Sequence, residues 1–160
     1  QNRLRWIEKI QQNNPNGLVI GPEWPNYEEP MIVSRRRISR DVLFTLYRTV
    51  PITISIGRRY DLANSSKISP STPGPRVFEA AGCRATQLVC ESGLEISCYY
   101  EPNKEFLWAR NIDEADDLLQ RTSRYPAEVE NVGKQAWKRT QANHLYYHRA
   151  EKLLKWVNEL

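Results

Sequence analysis

The sequence predicts an α/β fold with a mostly parallel sheet of about five strands, flanking helices and a C-terminal helical extension. Short apolar segments alternate with amphipathic helical patterns along the chain, which is typical of a parallel sheet covered by helices. The apolar segment at residues 17–21 has no polar interruption, as expected of a strand buried on both faces. We expect residues 1–160 to form one domain, with the helical residues 127–160 as its C-terminal segment.

Each predicted element follows from a local signal. Apolar residues recur at helical spacing over residues 2–12, Ser39 is a favourable N-cap, and β-branched residues are frequent at 52–56. Pro75 suits the first position of a helix that Gly82 can stop. In order, the elements are a helix over 2–12, strands over 17–21 and 31–33, a helix between Ser39 and Pro51, a strand over 52–56, a helix over 75–82, a strand over 86–90, a brief helix over 93–99, a strand over 106–109, a helix capped by Asp113, and helical residues from 127 onward with a break at Asn143 and His144.

Composition and charge limit the function classes. Hydrophobic residues make up 40% and charged residues 26%, as in ordinary globular domains, and no apolar run approaches the ~20 residues that span a bilayer. The net charge of +4 fits an anionic ligand such as a nucleotide without requiring one. The chain opens on Gln1 and lacks a signal-peptide pattern, so we expect a cytoplasmic piece of a longer protein.

The cysteines and histidines do not indicate a metal centre. Cys83, Cys90 and Cys98 lack C-x-x-C spacing and are expected to be reduced thiols. His144 and His148 are four residues apart, a spacing that is compatible with a metal on one helix face. Because no third ligand accompanies them, we interpret both as helix-packing residues and expect no metal.

Residues 69–90 carry the main functional signal, since a small-residue loop, a helix start and an apolar strand follow one another there. A helix start offers unpaired backbone N–H groups and the positive end of the helix dipole, and it therefore binds phosphates. Arg76 adds donors that match a phosphate, while Glu79, one turn later, suits the hydroxyls of a ribose. The same pair also fits an ordinary amphipathic helix, in which both residues form a solvated ion pair.

Other candidate binding residues lie on loops that follow predicted strands, where the ligands of α/β sheets bind. Arg58 and Arg59 directly follow the strand at 52–56, and they could contact a diphosphate or form a solvated basic loop. Trp24 could stack on a base, line a cleft between domains or pack on the sheet. The three arginines at 35–37 are interpreted as an exposed turn, because nucleic-acid sites usually need a wider basic face with aromatic platforms.

Several segments taken together resemble a known family. Residues 76–83 (RVFEAAGC) are followed by a strand, by residues 106–109 (FLWA) and by residues 112–114 (IDE). This order resembles the C-terminal domain of group 1-like glycosyltransferases, in the branch that includes bacterial spore-maturation glycosyltransferases. Residues 21–24 (GPEW) are similar to the family's turn after the first strand, and residues 144–151 (HLYYHRAE) resemble its closing helix.

The resemblance implies the C-terminal half of a GT-B fold, a Rossmann-like domain that binds a nucleotide-sugar donor opposite an N-terminal acceptor domain. At the matching positions it implies that Glu79 holds the ribose and that Thr72, Gly74 and Arg76 face the diphosphate. Enzymes of this fold need no metal or cofactor, because arginines and a helix dipole can stabilise the leaving nucleoside diphosphate. The general base is expected on the N-terminal domain.

Two positions depart from the family's pattern. Retaining relatives often carry a second glutamate where this chain has Ser71, so retention or inversion at the sugar stays open. Arg84 stands where many relatives have glycine, at the turn into the strand. Two hypotheses follow: the donor-binding domain of a metal-independent glycosyltransferase, and a Rossmann-like module without catalysis that binds protein or glycan.

Overall fold

The structure confirms an α/β fold built on parallel strands. A computed structural model describes residues 2–14, 17–20, 32–34, 37–56, 72–90 and 95–159. The helices are α1 (Asn2–Asn13), α2 (Arg40–Thr49), α3 (Pro75–Gly82), α4 (Ile112–Arg124), α5 (Pro126–Asn143) and α6 (Tyr146–Asn158), with a 3-10 helix at Glu95–Cys98. The strands are β1 (Leu18–Ile20), β2 (Ile32–Ser34), β3 (Ile52–Ser55), β4 (Thr86–Val89) and β5 (Leu107–Trp108).

The described strands pair as two parallel sheets rather than as the one sheet of about five strands that we expected. In the larger sheet β4 lies between β3 and β5, with Ile52 opposite Thr86. β1 pairs with β2, with Leu18 opposite Ile32. The expectation that β1 is buried on both faces was wrong, since Leu18 is exposed and Val19 and Ile20 are only half-buried. An apolar run alone shows neither how deeply a strand is buried nor which strand it pairs with. The α/β fold class is therefore confirmed, with fewer strands in the main parallel sheet than we expected.

The ends of two helices illustrate where local signals succeed and fail. Ser39 caps α2 as predicted, since its side chain accepts a hydrogen bond from the Val42 N–H at 3.3 Å. The N-cap of α4 is Asn111, whose side chain accepts from the Glu114 N–H at 2.9 Å, rather than the predicted Asp113. Asp113 instead lies in the first turn of α4, where its charge interacts favourably with the helix dipole.

Helices cover both faces of the three-stranded sheet. On one face, Trp6 and Ile10 of α1 pack together with residues of α4 against Leu88 and Cys90. On the other face, residues of α3 and α5 pack against Val89, which lies between those two positions on the chain. This alternation along one strand gives a three-layer arrangement of helix, sheet and helix.

α5 approaches the start of β4 so closely that one of its positions requires glycine. A Cβ atom built on Gly133 would overlap the carbonyl oxygen of Arg84 and would lie 2.9 Å from Thr86 Oγ1. The Gly133 N–H donates to Thr86 Oγ1 at 3.1 Å, and the same hydroxyl donates to the Val129 carbonyl at 2.5 Å. These buried hydrogen bonds fix the position of α5 on the sheet.

The turn from α3 into β4 places Arg84 in the left-handed region, with a φ of 65°. The Arg84 N–H donates to the Ala81 carbonyl at 3.1 Å, and the Ala85 N–H donates to the Ala80 carbonyl at 3.0 Å, which together form a Schellman motif. Glycine is the usual residue at this position because it lacks a Cβ atom, so the arginine is strained here. The Arg84 guanidinium lies 4.3 Å from the centroid of the Trp137 ring, and this cation–π contact offsets part of the strain.

We expect the Arg84→Gly variant to be more stable than Arg84→Ala by about 1 kcal/mol. Both variants lose the contact with Trp137, but only glycine removes the cost of a Cβ atom in the left-handed region. The greater freedom of glycine in the unfolded chain reduces this advantage without reversing it. Urea unfolding of the two variants measures the difference. An alanine variant as stable as the glycine variant would show that the turn is not strained.

The C-terminal helical pattern forms two helices. α5 ends at Asn143 and α6 begins at Tyr146, so the predicted break at Asn143 and His144 is confirmed. Within the described residues, α6 buries none of its side chains. Its exposed large apolar side chains include those of Leu153, Leu154, Trp156 and Val157. None of the helices in the described ranges is long and apolar enough to cross a membrane.

Candidate functional site

The N-terminus of α3 lies at the carboxyl edge of the three-stranded sheet. Because α3 connects the parallel strands β3 and β4, it runs back across the sheet and begins at the edge where β3 ends. At that edge the Cys90 N–H donates to the Ser55 carbonyl at 2.8 Å. α3 begins with Pro75 after the N-cap residue Gly74, which offers no side-chain acceptor to the first turn. The helix therefore starts without a side-chain cap.

A cleft of about 340 Å³ opens at this end of α3. The start of α3 contributes Pro75 and Phe78, and the end of the 3-10 helix contributes Cys98 and Tyr99. The opposite side is formed by the junction of α5 and α6. The volume falls within the ~300–1,000 Å³ that is usual for small-molecule sites, so the cleft can hold part of a ligand of nucleotide size.

Aromatic rings surround His144 in this cleft. The centroid of its ring lies 5.7 Å from those of Phe78 and Tyr99 and 5.2 Å from that of Tyr100. His144 Nε2 lies 2.9 Å from the carbonyl oxygen of Tyr99, and since a carbonyl can only accept, Nε2 carries a proton. The predicted packing role of His144 is confirmed. We had expected His144 and His148 to share one helix face. They do not, because α5 ends before His144 and His148 lies on α6.

α6 brings basic side chains to the same cleft. His148, Arg149 and Lys152 line it. The guanidinium carbon of Arg149 lies 4.8 Å from the centroid of the Phe78 ring, a cation–π contact that orients the side chain. His148 Nδ1 accepts the backbone N–H of Leu145 at 3.1 Å, which fixes the imidazole at the first turn of α6. The cleft thus combines an aromatic wall with positive charge.

Arg76 and Glu79 lie on a neighbouring face of α3, and neither lines the cleft. Both are close to Tyr47 of α2, whose pKa is raised mainly by burial; the Arg76 charge opposes this increase and the Glu79 charge adds to it. The pKa of the Cys83 thiol is likewise raised mainly by burial, with the charge of Arg48 lowering it and that of Glu79 raising it. Glu79 therefore belongs to a polar cluster between α2 and α3.

The other predicted donor-binding residues are placed as follows. Thr72 lines the cleft, and its hydroxyl donates to Glu95 Oε2 at 3.4 Å. Gly74 lies at the helix start with open space beside it, since a Cβ atom built there meets no atom within 4 Å. Four residues named in the sequence predictions lie outside the described residues, namely Trp24, Arg58, Arg59 and Ser71. The structure thus brings Thr72 and the start of α3 together at the cleft. Arg76 and Glu79 lie on a neighbouring face of the same helix, outside the cleft.

Residues 3–155 match the protein family described as glycosyl transferase-like. The chain belongs to this family. The match extends over nearly the whole chain, so the resemblance that the motifs indicated is confirmed. A comparison with curated proteins found no match.

Sequence reasoning about this glycosyl transferase-like chain did not identify Arg149 and Lys152 as site residues. The run at residues 144–151 served only to support the resemblance, because helical periodicity cannot show that α6 turns back towards α3.

Among the described residues, no group of three or more His, Cys, Asp or Glu side chains is arranged to hold a metal ion.

Proposed function

We propose that this glycosyl transferase-like chain is the donor-binding domain of a metal-independent glycosyltransferase, which transfers a sugar from a nucleoside diphosphate to an acceptor. The observation that carries the proposal is an uncapped helix start at the carboxyl edge of a parallel sheet, beside a cleft with basic side chains. Ligands of open α/β sheets bind at this edge, and a helix start there favours phosphates. Membership of the family supports glycosyl transfer as the reaction class.

The residues on α3 have distinct proposed roles. Glu79 is half-buried, one turn into the helix, and would accept hydrogen bonds from the ribose hydroxyls. The open space beside Gly74 allows a ligand to approach the start of α3. Pro75 has no backbone N–H, and that of Val77 donates to the Gly74 carbonyl at 3.1 Å. The Arg76 N–H is therefore the backbone donor proposed to face the ligand. Arg76 and the loop arginines Arg58 and Arg59 would add positive charge near the diphosphate. Trp24, for which stacking on the base was one of the predicted roles, would bind the donor in that way.

The proposed contribution of this chain to the reaction is electrostatic stabilisation of the leaving group. When the bond from the sugar to the diphosphate breaks, negative charge develops on the leaving nucleoside diphosphate. The positive end of the α3 dipole and nearby guanidinium groups would stabilise that charge, so a divalent metal is not needed for this role. The acceptor site and the general base would lie on an N-terminal domain of the parent protein.

A second candidate function is a Rossmann-like module that binds protein or glycan without catalysis. The exposed apolar side chains of α6 favour it, because a row of them suits contact with another protein surface; Trp156, for example, is 68% exposed. The same face would also suit contact with the N-terminal domain of a glycosyltransferase. Nucleotide binding by the chain distinguishes the two candidates.

We expect the chain to bind a nucleoside diphosphate weakly and without added metal, and we expect Glu79→Gln to weaken this binding about ten-fold. A hydrogen bond to a charged group contributes about 1.5–3 kcal/mol, and a ten-fold change in affinity corresponds to about 1.4 kcal/mol. The loss should be similar for the plain nucleoside, because the proposed partner is the ribose. Calorimetric titration with UDP, GDP, dTDP and the corresponding nucleosides, with and without EDTA, measures these affinities.

The matched control for this experiment is Glu130→Gln, which removes an exposed carboxylate on α5 and should leave binding unchanged. Urea unfolding should show that Glu79→Gln changes stability only slightly. Binding that is abolished by EDTA would contradict the metal-free proposal. Equal nucleoside affinity in the wild type and in Glu79→Gln would contradict the ribose role. Failure of every nucleotide to bind would favour the interaction module.

A further inference from the structure

We propose that the basic side chains of α6 hold the phosphate groups of the donor, with Arg149 and Lys152 supplying the charge and His148 a hydrogen-bond donor. The identity of the ligand as a donor rests on the proposed function. The site itself is defined by its chemistry, which is that of a phosphate or diphosphate anion. Its existence is therefore testable with an inorganic anion.

The first argument is the position of the charges. Arg149 and Lys152 reach the cleft from one side, and the uncapped start of α3 forms the other side. An anion between them would contact two cations from α6 and the positive end of the α3 dipole at once. Arg76 lies on a neighbouring face of α3, towards Tyr47, so α6 is better placed to supply charge to the cleft itself.

The second argument is that these charges are available. The ion pairs among the described residues are Lys104–Glu101, Arg121–Glu128 and Arg139–Glu105, so within that part of the chain no carboxylate pairs with Arg149 or Lys152. Arg149 instead lies over aromatic rings, 4.8 Å from the Phe78 centroid and 5.9 Å from that of Tyr146. Ring contacts of this kind orient a guanidinium without using its N–H groups, so these contacts leave it able to bind a phosphate with two parallel hydrogen bonds.

The third argument is the tautomer of His148. Its Nδ1 accepts the Leu145 N–H at 3.1 Å, so the proton of the neutral imidazole must be on Nε2. His148 lines the cleft, and Nε2–H is its remaining side-chain donor. An oxygen anion can accept that hydrogen bond, whereas a metal cation would need the same nitrogen without its proton. The arrangement thus suits an anion.

The experiment is a titration of the 160-residue chain with inorganic pyrophosphate, followed by UDP and uridine. Arg149→Gln should weaken pyrophosphate and UDP binding about ten-fold or more and leave uridine binding unchanged, since a hydrogen bond to a charged group is lost. Arg149→Lys should restore only part of the affinity, because an ammonium cannot reproduce the two parallel hydrogen bonds. Lys152→Gln should weaken pyrophosphate binding a few-fold.

The matched control is Lys155→Gln, which removes the same charge three residues later on α6, at an exposed position that does not line the cleft. It should leave pyrophosphate binding unchanged. An equal loss in Lys152→Gln and Lys155→Gln would mean that only the overall charge matters, and it would overturn the proposal. The proposal would also be overturned if Arg149→Gln bound pyrophosphate as tightly as the wild type, or if the wild type did not bind pyrophosphate.

A second readout reports on the cleft directly. Cys98 is exposed and lines the cleft, whereas Cys83 is half-buried outside it. Pyrophosphate should slow the alkylation of Cys98 by N-ethylmaleimide in the wild type but not in Arg149→Gln, with Cys83 as the internal reference in peptide mapping. Arg149-dependent pyrophosphate binding without UDP binding would keep the anion site and reject the donor function. UDP binding that does not depend on Arg149 would reject the anion site on α6 and keep the donor function.

Discussion

Gly133→Ala is expected to destabilise the protein by about 2–4 kcal/mol, which is a large part of the stability of an ordinary domain. The added Cβ atom would overlap the carbonyl oxygen of Arg84 and would lie 3.0 Å from the backbone nitrogen of Thr86. These are main-chain atoms at the start of β4, so they cannot move aside as a flexible side chain can. α5 must shift instead, and the shift breaks the buried hydrogen bond from the Gly133 N–H to Thr86.

Gly82→Ala is the matched control, because it adds the same methyl group to another helical glycine. A Cβ atom built on Gly82 meets no atom within 4 Å, so alanine fits and should stabilise α3 by about 0.5–1 kcal/mol through its better helix propensity. Urea unfolding of both variants tests the contrast. A Gly133→Ala variant as stable as Gly82→Ala would show that the contact between α5 and β4 is looser than the structure describes.

The second large effect is a loss of stability at alkaline pH. Burial raises the pKa of the Cys90 thiol from 9.0 to about 12. Burial also raises the pKa of Tyr100 from 10.0 to about 12, and its hydrogen bond with Thr140 opposes part of that increase. Above pH 9 the unfolded chain therefore binds fewer protons than the folded one, and the free energy of unfolding falls as pH rises. Since one pKa unit corresponds to about 1.4 kcal/mol, the two groups together account for several kcal/mol by pH 12.

Urea unfolding at a series of pH values between 7 and 11 measures this effect. The contribution of Cys90 should be complete below pH 9, and that of Tyr100 below pH 10. Cys90→Ala should flatten the dependence from pH 9 upward, and Tyr100→Phe should flatten it only above pH 10. Both variants will be less stable at neutral pH, so the slope against pH is the quantity to compare. Slopes identical to that of the wild type in both variants would reject the assignment.

The fold class and most elements could be predicted because their signals are local. The apolar run at β4, the β-branched residues of β3 and the proline at the start of α3 each act within a few residues. The pairing of strands could not be predicted in this way, since β1 and β2 pair with each other through contacts that no local pattern encodes. The cap of α4 was misplaced because Asn111 and Asp113 are both good capping residues, and only the backbone decides between them.

The candidate site was predictable in part for the same reason. Pro75 indicated a helix start after a loop that follows a strand, and the structure places that start at the carboxyl edge of the sheet. Arg149 and Lys152 are about seventy residues away in the sequence and reach the cleft only because the chain turns between α5 and α6. Sequence spacing also could not show that Arg76 and Glu79 face α2 rather than the cleft, because that depends on the helix packed beside them.

The glycine contact between α5 and β4 also bears on the position of His144 in the cleft wall. His144 follows Gly133 by eleven residues, which is close to three helical turns and about 16 Å along the axis. Gly133 and the buried residues Ala136 and Thr140 lie on one side of α5, and the N–H of His144, directly after the helix, donates to the Thr140 carbonyl at 2.9 Å. Because the helix is rigid over this length, a displacement at Gly133 is carried to His144 and hence to the wall of the cleft. Gly133 thus acts at a distance as a spacer for the cleft, so substitutions there should alter the shape of the cleft as well as the stability of the fold.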